Sequence, residues 1–300
     1  MSTSAICAGI LVDLYYTYSL IEEVSMKPGA FQSVSVLIVS TIVAWMTPSA
    51  LADDISLFVV TGQSNARTQF AIGIEAGLRA SGEFERVEIY HKRHAGNWLN
   101  TWIESNGGTY SPSTNMLTDL WAPDGTSELQ QLIASFESEG HTVTIEGFFW
   151  FQGESDTLNA GSRSTYQSRF TWMINTLQDH YGAFDILITL VDWNQDLTEL
   201  LISYGYTPEG VEELRDALRD SATELGGMYH DSRDYPRVDV WHIGVTNDSR
   251  GTYAAVTDLG ADQVRTFLDH TACQADLNND GELNFFDISL YIQMFQNACP

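Results

Sequence analysis

Gly62-Gln63-Ser64-Asn65 stands directly after the apolar run Ile55-Ser56-Leu57-Phe58-Val59-Val60. A buried strand that ends in a glycine-flanked serine points a hydroxyl out of the carboxyl end of a sheet, where an α/β protein places a nucleophile. Alone, such a turn reads as an ordinary loop, with Gly supplying the bend and Ser capping the next helix. Two distant segments change that weighting. Trp150-Phe151-Gln152-Gly153-Glu154-Ser155-Asp156 closes the apolar run Val143–Trp150, and Asp239-Val240-Trp241-His242 stands near the end of the main body. Together they offer a hydroxyl, a base, an orienting carboxylate and amide donors, the set that acyl transfer through a serine requires. His242 would take the Ser64 proton and return it to a leaving alcohol. Asp239 would hold the imidazole tautomer and stabilise its cation.

The elements that must position these groups alternate along the chain. Val87–Tyr90 reads as a strand. Leu129, Leu132, Ile133 and Phe136 fall at helical spacing before Gly140, and Tyr166, Phe170, Met173, Ile174, Leu177 and Tyr181 do so before Gly182. Ile186–Val191 predicts a buried strand. Val211, Leu214, Leu218 and Leu225 predict a helix opened by Pro208, followed by a short strand near Met228 and a final helix around Leu259–Leu268. Repeated strand–helix units predict an α/β fold, a three-layer α/β/α sandwich around a parallel sheet. Asn106–Gly125, rich in Gly, Ser, Thr and Pro, reads as a long loop at the strand ends.

The composition is that of a globular chain, with 44% hydrophobic and 18% charged residues. Forty Asp and Glu against 14 Lys and Arg give a net charge of −26, which repels nucleic acid and leaves neutral polysaccharide compatible. Residues 1–52 read as a leader. Translation is expected to start at Met26, where Lys27 precedes an apolar run from Val34 to Met46 of about thirteen residues. Pro48 breaks that run, and Ala50-Leu51-Ala52 is a cleavage site before Asp53. The run is short for a bilayer span of about 20 residues. A secreted, periplasmic or cell-surface protein without a stable membrane span is therefore expected. Loss of the leader removes Cys7 and leaves Cys273 and Cys299, expected to form a disulfide in an oxidising compartment.

The tail, 271–300, changes character. Asp276-Leu277-Asn278-Asn279-Asp280-Gly281-Glu282-Leu283-Asn284-Phe285-Phe286-Asp287 has the spacing of an EF-hand-type calcium loop. Asp276, Asn278 and Asp280 fall at positions one, three and five, Gly281 at six, the Glu282 carbonyl at seven and Asp287 at twelve. Aspartate at position twelve, with Ile288–Phe295 as the following helix, resembles a single dockerin repeat. That resemblance implies calcium binding and a cohesin-like or cell-surface partner, although dockerins carry two repeats and this chain one.

From Ile55 to Leu268, the Gly-Gln-Ser-Asn and Trp-Phe-Gln-Gly-Glu-Ser-Asp strings, followed by Asp-x-x-His, resemble the SGNH hydrolases. The matching branch holds sialate O-acetylesterases and the acetylxylan esterases of carbohydrate esterase family six. The resemblance implies an esterase domain over 53–270 that hydrolyses O-acetyl esters of carbohydrates without a catalytic cofactor. It puts the nucleophile at Ser64, the base at His242 and its orienter at Asp239. The oxyanion hole falls to the backbone N–H groups of Ser64 and Gly96, within Arg93-His94-Ala95-Gly96-Asn97, and to the Gln152 side chain. Asn65 and Glu154 are expected to touch substrate or support the site.

Each group also has a plainer reading. Glu154 and Asp156 could form a glycosidase pair, but two residues apart they read better as loop supports. Trp98 and Trp150 read as core before sugar platforms, Arg93 and His94 read equally as contacts to substrate carboxylate or hydroxyls and as solvated loop residues, and Asp234 reads as a weaker orienter than Asp239. The competing functions are a non-catalytic carbohydrate-binding or surface-attachment protein on the same fold, and a lipase or thioesterase.

Overall fold

The structure, a computed structural model, describes residues 53–246 and 248–275 together with Ser289, with the backbone alone from 271 to 275. The expected leader, the calcium ligands Asp276, Asn278, Asp280, Glu282 and Asp287, and the Cys273–Cys299 pair lie outside the described residues or side chains. Along the chain run β1 (Asp54–Gly62), α1 (Thr68–Ser81), β2 (Val87–Arg93), β3 (Ile103–Asn106), β4 (Thr109–Pro112) and α2 (Glu128–Ser138). There follow β5 (Thr142–Phe151), α3 (Ala160–Tyr181), β6 (Asp185–Leu190), α4 (Thr198–Ser203), α5 (Pro208–Glu224), β7 (Met228–Asp231) and α6 (Ala254–Ala275).

Five strands form one parallel sheet in the order β2-β1-β5-β6-β7. After β2 the chain crosses back over β1 to lay β5 on its other side. The connections that leave the carboxyl ends of β1 and β5 therefore diverge, and a crevice opens between them. Helices cover both faces, which is why β1 and β5 read as nearly unbroken apolar runs. The two-residue period of β5 shows this directly. Phe149 lies against Phe267 of α6 at 5.4 Å, whereas Phe148 and Trp150 share the opposite face, where Trp150 meets Phe170 of α3 at 5.3 Å. Full burial of each such ring stabilises the fold by roughly 1.5–3 kcal/mol.

Helix boundaries follow from local chemistry. Ser127 and Gln130 form a reciprocal capping box at the start of α2. Asn159 caps α3, and Thr207 with Pro208 opens α5. Helices α1 and α6 cross where glycine is needed, because a Cβ at Gly73 would stand 2.1 Å from the Thr257 carbonyl oxygen. Asn106–Gly125, expected to be loop, instead contains half of a hairpin and a short helical turn. Strands β3 and β4 pair antiparallel across Gly107 and Gly108, with φ of 60° and 90°. Two consecutive positive-φ residues are what a two-residue hairpin turn requires. Met116–Leu120 forms one π-helical turn that buries Met116, Asp119 and Leu120.

Candidate active site

Ser64 stands at the switch point of the sheet. Gly62 ends β1 at φ 143°, and a Cβ there would lie 2.1 Å from the Phe151 carbonyl oxygen. That contact closes the end of β1 onto the end of β5, and the Gln63 N–H seals it by donating to the same carbonyl at 2.8 Å. The Ala66 N–H donates to Gln63 O at 3.1 Å, so the serine sits on a tight turn with its side chain half-buried.

His242 comes from the irregular segment between β7 and α6. The Val238 N–H donates to His242 O at 2.9 Å, and an antiparallel bridge joins Arg237 to Ile243. These close a short loop that carries Asp239 and His242 together. The Asp239 carboxylate organises it. Its Oδ1 accepts the backbone N–H groups of Trp241 and His242 at 2.9 and 2.8 Å, and its Oδ2 meets His242 Nδ1 at 2.7 Å. An acceptor at Nδ1 assigns the proton to that nitrogen and leaves Nε2 as an acceptor. Nε2 faces Ser64 Oγ at 3.0 Å. Partial burial works to raise the Asp239 carboxyl. The hydrogen bonds from the His242 backbone, the His242 ring and the Trp241 backbone outweigh it and hold the carboxyl below its ordinary value.

Buried polar side chains fix this loop against the turn of Ser64. Asn65, 2% exposed, donates to Trp241 O at 3.0 Å and accepts from Ile243 N–H at 3.2 Å, so it grips the backbone on both sides of His242. It also donates to Glu154 Oε1 at 2.8 Å. Arg237 clamps the base of the loop through the carbonyls of Asp192, Ser232 and Tyr235 at 3.0–3.2 Å. Asn65 and Glu154 are thus both buried, bonded to each other behind the loop that carries His242. Burial raises the Glu154 carboxyl, against the Asn65 hydrogen bond and the His242 and Arg237 charges. Asp234 is exposed and makes no hydrogen bond to His242.

The oxyanion assignment needs one correction. The backbone N–H groups of Ser64 and Gly96 have no protein acceptor among the described residues, as an oxyanion hole requires. Gln152 does not fit the same role. It is wholly buried, and its amide nitrogen already donates to Asp156 Oδ2 at 2.6 Å and Asn97 O at 3.1 Å, while its oxygen accepts from Tyr166 at 2.6 Å. Gln152 holds the Gly96-Asn97 loop from behind. Ser155 assists by donating to Gly96 O at 3.0 Å. Asp156, fully buried, accepts from Leu99 N–H at 2.9 Å and from the Ser162 hydroxyl. With Glu154 also enclosed, neither carboxylate is placed as a glycosidase acid or base.

Trp150 is core, and Trp98 is half-buried at a pocket rim. Arg93 is exposed and donates to Ser64 O at 3.3 Å, while His94 pairs with buried Asp119. Among the described residues no group of His, Cys, Asp and Glu is placed to hold a metal ion, and no helix is long and apolar enough to cross a membrane. Arg237, Ser155 and Tyr166 were not foreseen from sequence.

Residues 109–224 match the profile of a family described as "Carbohydrate esterase, sialic acid-specific acetylesterase". The match covers under half of the chain. It includes the Gln152–Asp156 segment and not Ser64, Asp239 or His242. No curated protein matches the sequence. Several solved structures resemble the chain. A carbohydrate acetylesterase from Xanthomonas citri has a TM-score of 0.48 at 12% identity, over 68% of this chain and 54% of its own. A protein from Arabidopsis thaliana has a TM-score of 0.46 at 13% identity, over 72% of this chain and 98% of its own. A lipase/acylhydrolase from Enterococcus faecalis has a TM-score of 0.45 at 10% identity, over 71% of this chain and 95% of its own.

Proposed function

We propose that this chain is an exported serine esterase that removes O-acetyl groups from carbohydrate, with Ser64 as nucleophile, His242 as base and Asp239 as its orienter. The observation that carries the reading is the continuous line from Ser64 Oγ to His242 Nε2 at 3.0 Å and from His242 Nδ1 to Asp239 Oδ2 at 2.7 Å. Ser64 Oγ attacks the acetyl carbonyl carbon as its proton passes to Nε2. The oxyanion that forms faces the N–H groups of Ser64 and Gly96. Collapse breaks the bond to the sugar oxygen, which takes the proton from Nε2. Water, deprotonated by Nε2, then attacks the acetyl-serine and releases acetate. Asp239 stays ionised throughout and stabilises the imidazolium. The family match over 109–224 supports carbohydrate as the substrate class. Export rests on the leader pattern of 26–52, and calcium binding by the tail on its ligand spacing. Hydrolysis of a chromogenic acetate ester, its loss to a serine-directed phosphonate, and labelling of Ser64 by that reagent test the assignment. An enzyme that stays active after full treatment would overturn it.

A further inference from the structure

An oxyanion hole needs its N–H groups at a fixed separation, yet Ser64 and Gly96 stand on separate loops, one after β1 and one after β2. One residue is bonded into both. The His94 N–H donates to Gly62 O at 2.9 Å, at the start of the turn that carries Ser64. The His94 carbonyl accepts from the Asn97 N–H at 3.3 Å and so closes the turn that holds Gly96 at φ 73°. The place of His94 therefore sets one donor against the other. It is the first residue past β2, which is an edge strand, so no further strand holds its outer side.

The side chain supplies that hold. Tyr90, Lys92 and His94 alternate along β2 and its exit, and they share one face. All three meet Asp119 of the π-helical turn Met116–Leu120. The Tyr90 hydroxyl donates to Asp119 O at 2.9 Å, Lys92 Nζ lies 3.8 Å from Asp119 Oδ1, and His94 Nε2 bonds Asp119 Oδ2. Asp119 is itself fixed. It is 2% exposed, its Oδ1 accepts from the Thr118 hydroxyl at 2.8 Å, and Met116 and Leu120 bury the turn on either side of it. Trp102, wholly buried, meets the His94 ring edge to face at 5.5 Å. An apolar pair could fill this space without desolvating a carboxylate. The charge-assisted bond adds what an apolar pair lacks, a set distance and angle.

We infer that Asp119 and His94 form a positioning pair that sets the Gly96 N–H against the Ser64 N–H, and that the pair acts on the transition state without touching substrate. The inference rests on the esterase reading. Full-length wild type and variants would be compared by initial rates on a chromogenic acetate, inhibition by phenylboronic acid, and thermal melts. His94→Phe keeps a ring against Trp102 and leaves Asp119 its Thr118 and Lys92 partners, so it removes the hydrogen bond alone. Its kcat should fall about ten- to a hundredfold, short of the 10²–10³-fold that outright loss of a donor costs, with KM nearly unchanged. Phenylboronic acid adds to a serine as a tetrahedral anion, so its affinity should fall by the same factor as kcat/KM. His94→Gln returns a donor near the position of Nε2 and should recover most of both losses. Asp119→Asn, which keeps the shape and weakens the bond, should fall between wild type and His94→Phe. A folded His94→Phe enzyme with kcat within about threefold of wild type overturns the proposal, as does a loss that His94→Gln does not lessen. A loss confined to KM, with boronic acid affinity kept, would make His94 a substrate contact and overturn it too. A wild-type protein that neither hydrolyses the acetate nor binds the boronic acid would reject the esterase reading, and this inference with it. An active wild type with an unimpaired His94→Phe counterpart would reject the positioning pair alone.

Discussion

Asn65→Ala isolates what holds the base in place. Asn65 makes three hydrogen bonds, to Glu154, to the Trp241 carbonyl and from the Ile243 N–H, at 2.8, 3.0 and 3.2 Å. Two of them bracket His242. Truncation leaves one buried carboxyl and two backbone groups without this partner, at about 1–3 kcal/mol for each group that finds no substitute. Partial access of water to the Trp241 side lowers the total, so a net loss of about 3 kcal/mol in stability is expected. The kinetic effect follows from geometry. His242 is free to shift, and a displacement of about 1 Å costs on the order of 10²-fold in rate. Because Asn65 is 2% exposed, it does not touch substrate, and the loss should fall on kcat with KM nearly unchanged. Initial rates on a chromogenic acetate, with thermal melts on the same preparation, provide the assay. Asn65→Asp adds a control. It keeps the shape but sets a carboxyl against Glu154, so the two must share a proton and activity should decline further as pH rises. A folded Asn65→Ala enzyme with kcat within about threefold of wild type would refute the reasoning.

Ser64→Ala should abolish turnover and leave the melting temperature nearly unchanged, since its half-buried hydroxyl packs little; retained activity in a purified sample would exclude it as nucleophile. Gln152→Ala should lower stability and kcat together, because its amide anchors Asp156 and the Asn97 carbonyl, whereas a fall in kcat alone would restore it as a direct oxyanion donor. Glu154 titrates higher in the folded than in the unfolded chain, through burial above all, so the folded state holds the extra proton between the two values. Stability should therefore fall as pH rises through that window, and Glu154→Gln should flatten the slope in melts taken across pH. Asp239 has the opposite sign. Its contribution is present above the unfolded value and is lost only as pH falls through the depressed folded value, so Asp239→Asn should remove an acid-side transition in melts across pH.

Sequence carried much of the frame. Strands β1 and β5 were legible because both of their faces are buried and the residue types had to be apolar throughout. Asp239 and His242 could be paired in sequence because they are neighbours, whereas Ser64 lies 178 positions from His242 and only the fold brings the two together. Asp239 reaches across only three residues to the ring it orients. Other features depend on partners that sequence does not bring together. Arg237 is fixed by Asp192, 45 positions earlier, and no local pattern marks that pair. Gln152 heads a loop in sequence, which suggested a donor aimed at substrate. The structure turns it inward, because Asp156 four residues later and Tyr166 on α3 satisfy both ends of its amide. The hairpin of β3 and β4 carried its signal in Gly107-Gly108, but a run of Gly, Ser and Thr masks strand propensity.

The loops at the carboxyl ends of β1 and β5 and after β7 meet where the sheet stops supplying backbone partners. Their N–H and C=O groups must still be satisfied. Apolar packing cannot do that, and here Asn65, Gln152, Ser155, Asp156 and Arg237 do it by bonding directly to backbone groups of neighbouring loops. The desolvation of these groups has a cost, visible in the raised carboxyls of Glu154, Asp156 and Asp192, each shifted first by burial. In return the contacts are directional. A hydrogen bond fixes distance and angle, whereas an apolar contact fixes only proximity. Ser64, Asp239 and His242 lie at the rim of this frame, half-buried or exposed, and inherit its geometry without needing to be buried themselves. Substitutions in the frame should therefore alter stability and rate together, and those at the rim should alter rate alone. A frame variant that changed only the rate would mean that its side chain reaches the reacting atoms after all.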